Sequence, residues 1–233
     1  MFTIILMRLP KRLKDYRMSK ISVVTAITGG KDQLLPQPIY PNVDYIAFME
    51  NPVSNPQWEA RKACNKFSEP VMNAKIHKIL MHKYTDSPYI VWMDGNFVLK
   101  DDPRKLIEIM GDFDFAFFKH HARRDIYKEI EVCLKVKKGK PEDLLAQKDA
   151  YLKMGVPHNT GMCECGAFIR KNNPAANSAF EAWWAEICRY SSRDQISFPV
   201  AFAGLSWATI PGEIFTLDVN KNDFFKPMKH LSK

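Results

Sequence analysis

Residues 89–96, Tyr-Ile-Val-Trp-Met-Asp-Gly-Asn, run apolar and then stop at a carboxylate, a glycine and an amide. A short run of β-branched and aromatic side chains bounded by turn residues reads as a strand covered on both faces. Strands of that kind build sheets packed between helices, and such sheets bind ligands beyond the carboxyl ends of their strands. Asp94 emerges at that end. Asp94 and Asn96 stand two residues apart and are able to aim two oxygens at one cation, while Gly95 leaves room for a diphosphate to approach the backbone. The same Asp-Gly-Asn also makes an ordinary turn.

The rest of the chain alternates strand and helix patterns. Residues 21–27 and 43–49 read as the first two strands, with a glycine loop at 28–32 and a proline-rich connection at 36–41. Further buried strands are expected at 114–118 and 166–170. A helix is expected over 70–84, with Ile76, Ile79 and Leu80 on one side and Lys75, Lys78 and His82 on the other. Asp102-Pro103 reads as a helix start with Asp102 as its cap. Helices follow at 125–135, after Pro141, and at 180–190, and Ser191 or Ser192 is placed to cap another whose first turn holds Asp194 and Gln195. The fold class is therefore α/β, one domain over 19–233 preceded by a weakly ordered extension at 1–18.

Composition narrows the partners. The chain has 233 residues, 46% hydrophobic and 26% charged, which suits one soluble domain with a full core. Its net charge of +8 favours anionic ligands. The lysine clusters at 135–140 and in the 8–20 region do not interleave with aromatics, so no nucleic acid is expected. No segment approaches the roughly 20 apolar residues of a membrane span. Five cysteines without a disulfide spacing indicate a reducing, cytoplasmic setting. Cys163 and Cys165, with His158 and Cys188, are either half of a zinc site or small buried thiols.

Beyond Asp94, three polar clusters carry candidate chemistry: His120 to Arg124, His158 to Gly161, and Ser191 to Gln195. If strand alternation continues past residue 119, His120 and His121 point to opposite faces and do not share a site. Arg123 and Arg124 offer forked donors for phosphate or for a sugar carboxylate. Lys75 or Lys78 reaches a phosphate if its helix flanks the end of the Asp94 strand. Trp183 and Trp184 are either a stacking wall for a sugar or part of the core.

Four blocks, in order, resemble one family. They are residues 24–34, from Val24 to Leu34; 90–96, from Ile90 to Asn96; 121–129, from His121 to Glu129; and Trp183-Trp184 leading to 192–198. The chain resembles, from about Ile21 to Val200, the glycosyltransferase-like domain of unknown function 616, named from plant mucilage-synthesis and turgor-regulation proteins. That family is similar to the GT-A glycosyltransferases. The resemblance implies a Rossmann-like domain with a mixed, mostly parallel central sheet flanked by helices, a nucleoside diphosphate sugar donor, and Mn²⁺ or Mg²⁺ held by Asp94 and Asn96. Asn96 replaces a second carboxylate, which removes one negative charge and weakens cation binding. Lys75, Arg123 and His121 are expected at the diphosphate, and Thr25, Ala26 and Gly29 near the base and ribose. Asp194 is expected to bind or activate the acceptor hydroxyl of a glycan, lipid or protein, and Gln195 to lie against the sugar. Two rival readings stand beside transfer. One is a lipid-amide hydrolase, from a ceramidase attribution of a plant relative, and the other is a non-catalytic binder of nucleotide or polyanion.

Overall fold

A computed structural model of the chain describes residues 18–30, 32–216, 218 and 220–230, so the expected N-terminal extension lies, except for Met18, outside the described residues. Seven strands form the main sheet: β1 Ile21–Ile27, β2 Val43–Met49, β3 Glu59–Lys62, β4 Tyr89–Met93, β6 Phe115–Lys119, β7 Cys163–Lys171 and β8 Ala208–Ile210. Their order is β3-β2-β1-β4-β7-β6-β8. Every neighbouring pair is parallel except the two made by β7, which runs antiparallel to both β4 and β6. The sheet is therefore mixed and mostly parallel, as expected.

Alternation along the strands sorts the core into two layers. Val24, Ala26, Ile46, Phe48, Ile90, Trp92, Phe117 and Phe168 face one side, where helices α1 Pro70–Ile79, α5 Pro174–Arg189 and α6 Asp194–Ala201 cover them. Val23, Tyr45, Val91, Met93, Ala116 and Ile169 face the other, against helix α2 Arg104–Met110. Trp183 is buried in the first layer and Trp184 packs on its margin against Phe67, so both belong to packing rather than to a sugar wall. Helices α3 Ile126–Lys135 and α4 Pro141–Lys153 make a third cluster with Ile196 of α6.

The departures from expectation have local causes. The basic helix ends at Ile79, and Met81–Lys83 continues as a single tight turn. Pro103, not Asp102, occupies the cap position of α2, although Asp102 Oδ1 still accepts the Arg104 N–H at 2.9 Å. The edge strand β3 is partly exposed and carries Glu-Ala-Arg-Lys, so it shows no apolar run to detect. A two-stranded sheet of β5 Phe97–Leu99 and β9 Phe225–Pro227 was also not anticipated. It carries the C-terminal segment back to Asn96, where the Met228 N–H reaches the Asn96 carbonyl at 2.7 Å.

One core group makes stability depend on pH. His77 of α1 stacks on Phe48 at a ring separation of 3.8 Å, and its Nε2 accepts the Cys64 N–H at 2.9 Å. Burial pushes its pKa down to about 4 from 6.5. A buried neutral histidine that must be charged in acid costs stability only as pH falls, because the unfolded chain then binds the extra proton. Stability is therefore expected to be intact above about pH 6.5 and to drop by roughly 2–3 kcal/mol toward pH 4. Urea melts at pH 7 and pH 4.5 measure this, and the difference should shrink in His77→Gln. An equal drop in that variant would assign the acid sensitivity elsewhere.

Candidate active site

Topology brings the chemistry to one edge. The parallel strands β1 and β4 end at the same side, and β7 begins there because it runs the other way; β6, antiparallel to β7, also ends there. Ala26, Asp94, His120 and Glu164 are thus delivered to one rim, and they line a cleft of about 580 Å³. Val71, Ala74, Lys75 and Lys78, one face of α1 by their three- and four-residue spacing, form its wall. The N-terminal end of α6 supplies Asp194 and Gln195.

Asp94 opens into the cleft with its side chain 37% exposed. The Trp92 indole N–H donates to Oδ1 at 2.9 Å, and Lys78 Nζ stands 3.6 Å from the same oxygen. The Asn96 Nδ2 donates to the Met228 carbonyl at 2.9 Å, which leaves its amide oxygen as the group free for a cation. One carboxylate and one amide oxygen are hard donors that fit Mn²⁺ or Mg²⁺ with little charge to spare. Gly95 lines the cleft and also meets a neighbour distant in sequence. A Cβ there would lie 2.6 Å from Ile27 Cγ1, so the glycine admits the close approach of the β1 end.

Behind Asp94 sits a buried charge cluster. Lys75 and Lys78 both place Nζ 2.8 Å from Asp194 Oδ2. Burial works against the Asp194 anion, but Lys75, Lys78 and Arg193 together outweigh it and hold the carboxyl far below the usual range. Burial lowers Lys75, and Asp194 restores it only in part. For Lys78, the burial cost is exceeded by Asp194 and Asp94 together, which lifts it above an ordinary lysine. A carboxylate held so firmly ionised has little affinity for a proton. Asp194 anchors the two ammonium groups.

Two more buried carboxylates, Glu129 and Glu164, face the cleft. Glu129 of α3 pairs with Arg123 and stands 3.7 Å from Arg193. Glu164 Oε2 accepts the Gln195 amide at 2.8 Å, and Oε1 meets His121 Nδ1 at 2.7 Å. His120 and His121 share the site after all. β6 stops at Lys119, strand alternation ends with it, and the two rings stack with centroids 5.2 Å apart. His120, His121 and Glu164 offer donor atoms within 4.8 Å of one another. The His120 Nδ1 lone pair, however, takes the N–H groups of Ala122 and Arg123 at 3.2 and 3.1 Å, which leaves an incomplete donor set for a metal.

Of the expected residues, Ala26, Lys75, Asp94, Asn96, His121, Arg123, Asp194 and Gln195 line the cleft. Thr25 and Gly29 do not. Thr25 is buried within β1, and Gly29 sits in a left-handed turn (φ 70°) with its N–H donated to Glu50. Ser191 is not the α6 cap: its Oγ donates to Gln147 Oε1 at 2.5 Å, and Arg193 holds the cap position. The zinc reading does not assemble either. Burial raises the Cys163 and Cys165 thiols far above their ordinary range, while His158 bonds Asp125 at 2.8 Å and Cys188 is exposed. Sequence reasoning gave no role to Glu164, Glu129, Arg193 or the rim pair His230–Asp32, whose Nδ1 and Oδ1 lie 2.8 Å apart. Glu164 carried a signal, a lone acid between two buried thiols in a strand.

The probable hexosyltransferase MUCI70 of Arabidopsis thaliana is 28% identical over 144 residues, 57% of this chain. This chain spans a quarter of that relative's length (25%). Among solved structures, the bifunctional glycosyltransferase WbbM is similar at a TM-score of 0.43 and 14% identity, over 78% of this chain and 37% of that one. The galactosyltransferase LgtC, solved with donor and acceptor sugar analogues, is similar at 0.42 and 9%, over 76% and 69% respectively. The model of the TOD1/MUCI70 glycosyltransferase-like domain matches residues 61–230, which span every cleft element from α1 to His230, and the chain belongs to that family.

Proposed function

We infer that this chain transfers a sugar from a nucleoside diphosphate sugar to a hydroxyl of a glycan, lipid or protein, assisted by a divalent cation. The observation that carries the reading is the convergence of Asp94, Asn96, Lys75, Lys78, Arg123 and Gln195 on one cleft at the carboxyl ends of β1 and β4. Departure of a diphosphate is the main electrostatic demand of such a reaction. Asp94 and Asn96 would hold the cation, which supplies Lewis-acid neutralisation of the leaving phosphates. Lys78, 3.6 Å from Asp94, places positive charge beside the same group, and Arg123, paired with Glu129, lines the same cleft. Ala26, Ile27 and Thr28 form the apolar end suited to a base and ribose. Gln195, fixed between Arg193 and Glu164, presents its amide to the sugar.

A thermal-shift screen of UDP- and GDP-sugars with and without Mn²⁺ tests donor and cation together. A donor at 100 times its Kd stabilises by about 2.7 kcal/mol, a rise of several degrees in melting midpoint. The rise is expected to be larger with Mn²⁺. No shift with any nucleotide sugar, with or without Mn²⁺ or Mg²⁺, would remove the reading. Binding without turnover across a broad acceptor panel would instead support the non-catalytic binder.

A further inference from the structure

We propose that Glu164 is the catalytic base that takes the proton from the attacking hydroxyl. This rests on the glycosyltransfer reading above and assigns the acceptor side of that site. Three buried carboxylates line the cleft, and they differ in what neutralises them. Asp194 is held by two ammonium groups and Glu129 by the guanidinium of Arg123 with that of Arg193 nearby. Both are structural anions whose charge is already spent on permanent cations. Among the described residues, Glu164 meets the amide of Gln195 and the imidazole of His121 and no lysine or arginine, with His120 Nδ1 at 3.7 Å from Oε1. A carboxylate that meets an amide and an imidazole is not locked into an ion pair with a lysine or arginine. Each of its oxygens retains a further lone pair for a hydroxyl.

The position is built for the purpose. Glu164 is the second residue of β7, and the register with β6 slips beside it, from Phe117↔Phe168 to Phe118↔Glu164. The slip frees residues 165–167 from the ladder with β6, and such irregularities commonly re-aim a side chain beside an active site. The Gly166 carbonyl at this slip accepts the Asp94 N–H at 2.8 Å, so the base lies on a segment tied directly to the cation ligand's backbone. Gln195 couples Glu164 to the sugar side. His121, with its side chain 47% exposed, couples it to water. A route to solvent suits a base that must release its proton.

In the step, the acceptor O–H bond breaks and its proton goes to Glu164. The hydroxyl oxygen forms the bond to the anomeric carbon, and the bond from that carbon to the diphosphate oxygen breaks with its electron pair leaving on the diphosphate. Glu164 then returns the proton to solvent past His121. The groups facing Glu164 are His120 and His121 after β6, Gln195 of α6 and Cys163 of its own strand, with Glu129 and Arg123 behind His120.

The test measures nucleoside diphosphate release from UDP-glucose, UDP-galactose and GDP-mannose, with water or an added glycan as acceptor. Glu164→Gln, which keeps size and hydrogen bonding, is expected to lower kcat about 100-fold or more. The thermal shift given by UDP should be unchanged. Wild-type kcat should rise with pH on the acid side, and that limb should vanish in Glu164→Gln. Glu164→Asp should recover part of the rate and keep a displaced limb, and it is the variant to read if the glutamine form does not fold. Release by Glu164→Gln at the wild-type rate, or an acid limb identical in both variants, overturns the assignment and leaves glycosyltransfer standing. No release by the wild type with any donor overturns the glycosyltransfer reading and this assignment with it.

Discussion

Asp194→Ala is expected to destabilise the fold by about 3–5 kcal/mol, because it leaves the Lys75 and Lys78 ammonium groups buried without their counter-ion. That is a large part of the 5–15 kcal/mol typical of a domain, and the melting midpoint should fall by roughly 6–20 °C. The loss comes from stranded charge rather than from a missing attraction. Replacing all three residues together, Lys75→Met, Lys78→Met and Asp194→Leu, should therefore recover most of the stability while abolishing turnover. That pattern separates a scaffold for catalysis from a scaffold for folding. pH provides a second readout. The Asp194 pKa lies below its unfolded value near 3.8, so its contribution is present above about pH 4 and fades as pH falls further. The His77 effect precedes it, since that loss begins near pH 6.5. An Asp194→Ala protein that melts within about 1 kcal/mol of the wild type would mean that the lysines find other partners or leave the interior.

How far the sequence reveals this site depends on which forces set each residue. Residues at the end of an apolar run are legible, because a buried strand must emerge somewhere and Asp94 marks where β4 does. Lys75 and Lys78 are legible as one face of a helix, since spacing alone places them together. What spacing cannot supply is strand direction. β7 reads as any short strand, and nothing in its residues says that it runs antiparallel between β4 and β6. That reversal is what carries Glu164 to the cleft. The same limit explains His120 and His121. Their opposite-face reading assumed a strand that continues, and β6 ends one residue too early. Thr25 failed for a subtler reason: its strand does end at the crevice, but its side chain is buried in the sheet. Gly95 is conspicuous in the sequence, but the neighbour that crowds it, Ile27, is distant in sequence and spacing does not reveal it. Long-range pairing therefore decides the roles of residues whose types were already conspicuous.

Asp94→Ala is expected to leave the fold nearly intact and to lower sugar transfer about 100- to 1,000-fold, the usual cost of removing one group that faces developing charge. The carboxylate is more than a third exposed, so its loss leaves no sealed cavity, and the Trp92 indole N–H regains water. Lys78 keeps its closer partner in Asp194, at 2.8 Å against 3.6 Å for Asp94, so the buried cluster survives. The cation should respond differently from the fold. Any stabilisation that Mn²⁺ gives the wild type in the presence of UDP should disappear in Asp94→Ala, because the remaining amide oxygen of Asn96 carries no charge to hold it. Asn96→Asp completes the argument in the opposite direction. It adds a second anion and should tighten Mn²⁺ binding, at a cost of about 1 kcal/mol in the metal-free protein for the lost Nδ2 bond to Met228. If Asn96→Asp tightens Mn²⁺ and Asp94→Ala abolishes its effect, both side chains face one cation. If neither substitution changes the Mn²⁺ response while Asp94→Ala still slows transfer, the positive charge at the diphosphate comes from Lys78 and Arg123, and Asp94 acts by positioning Lys78.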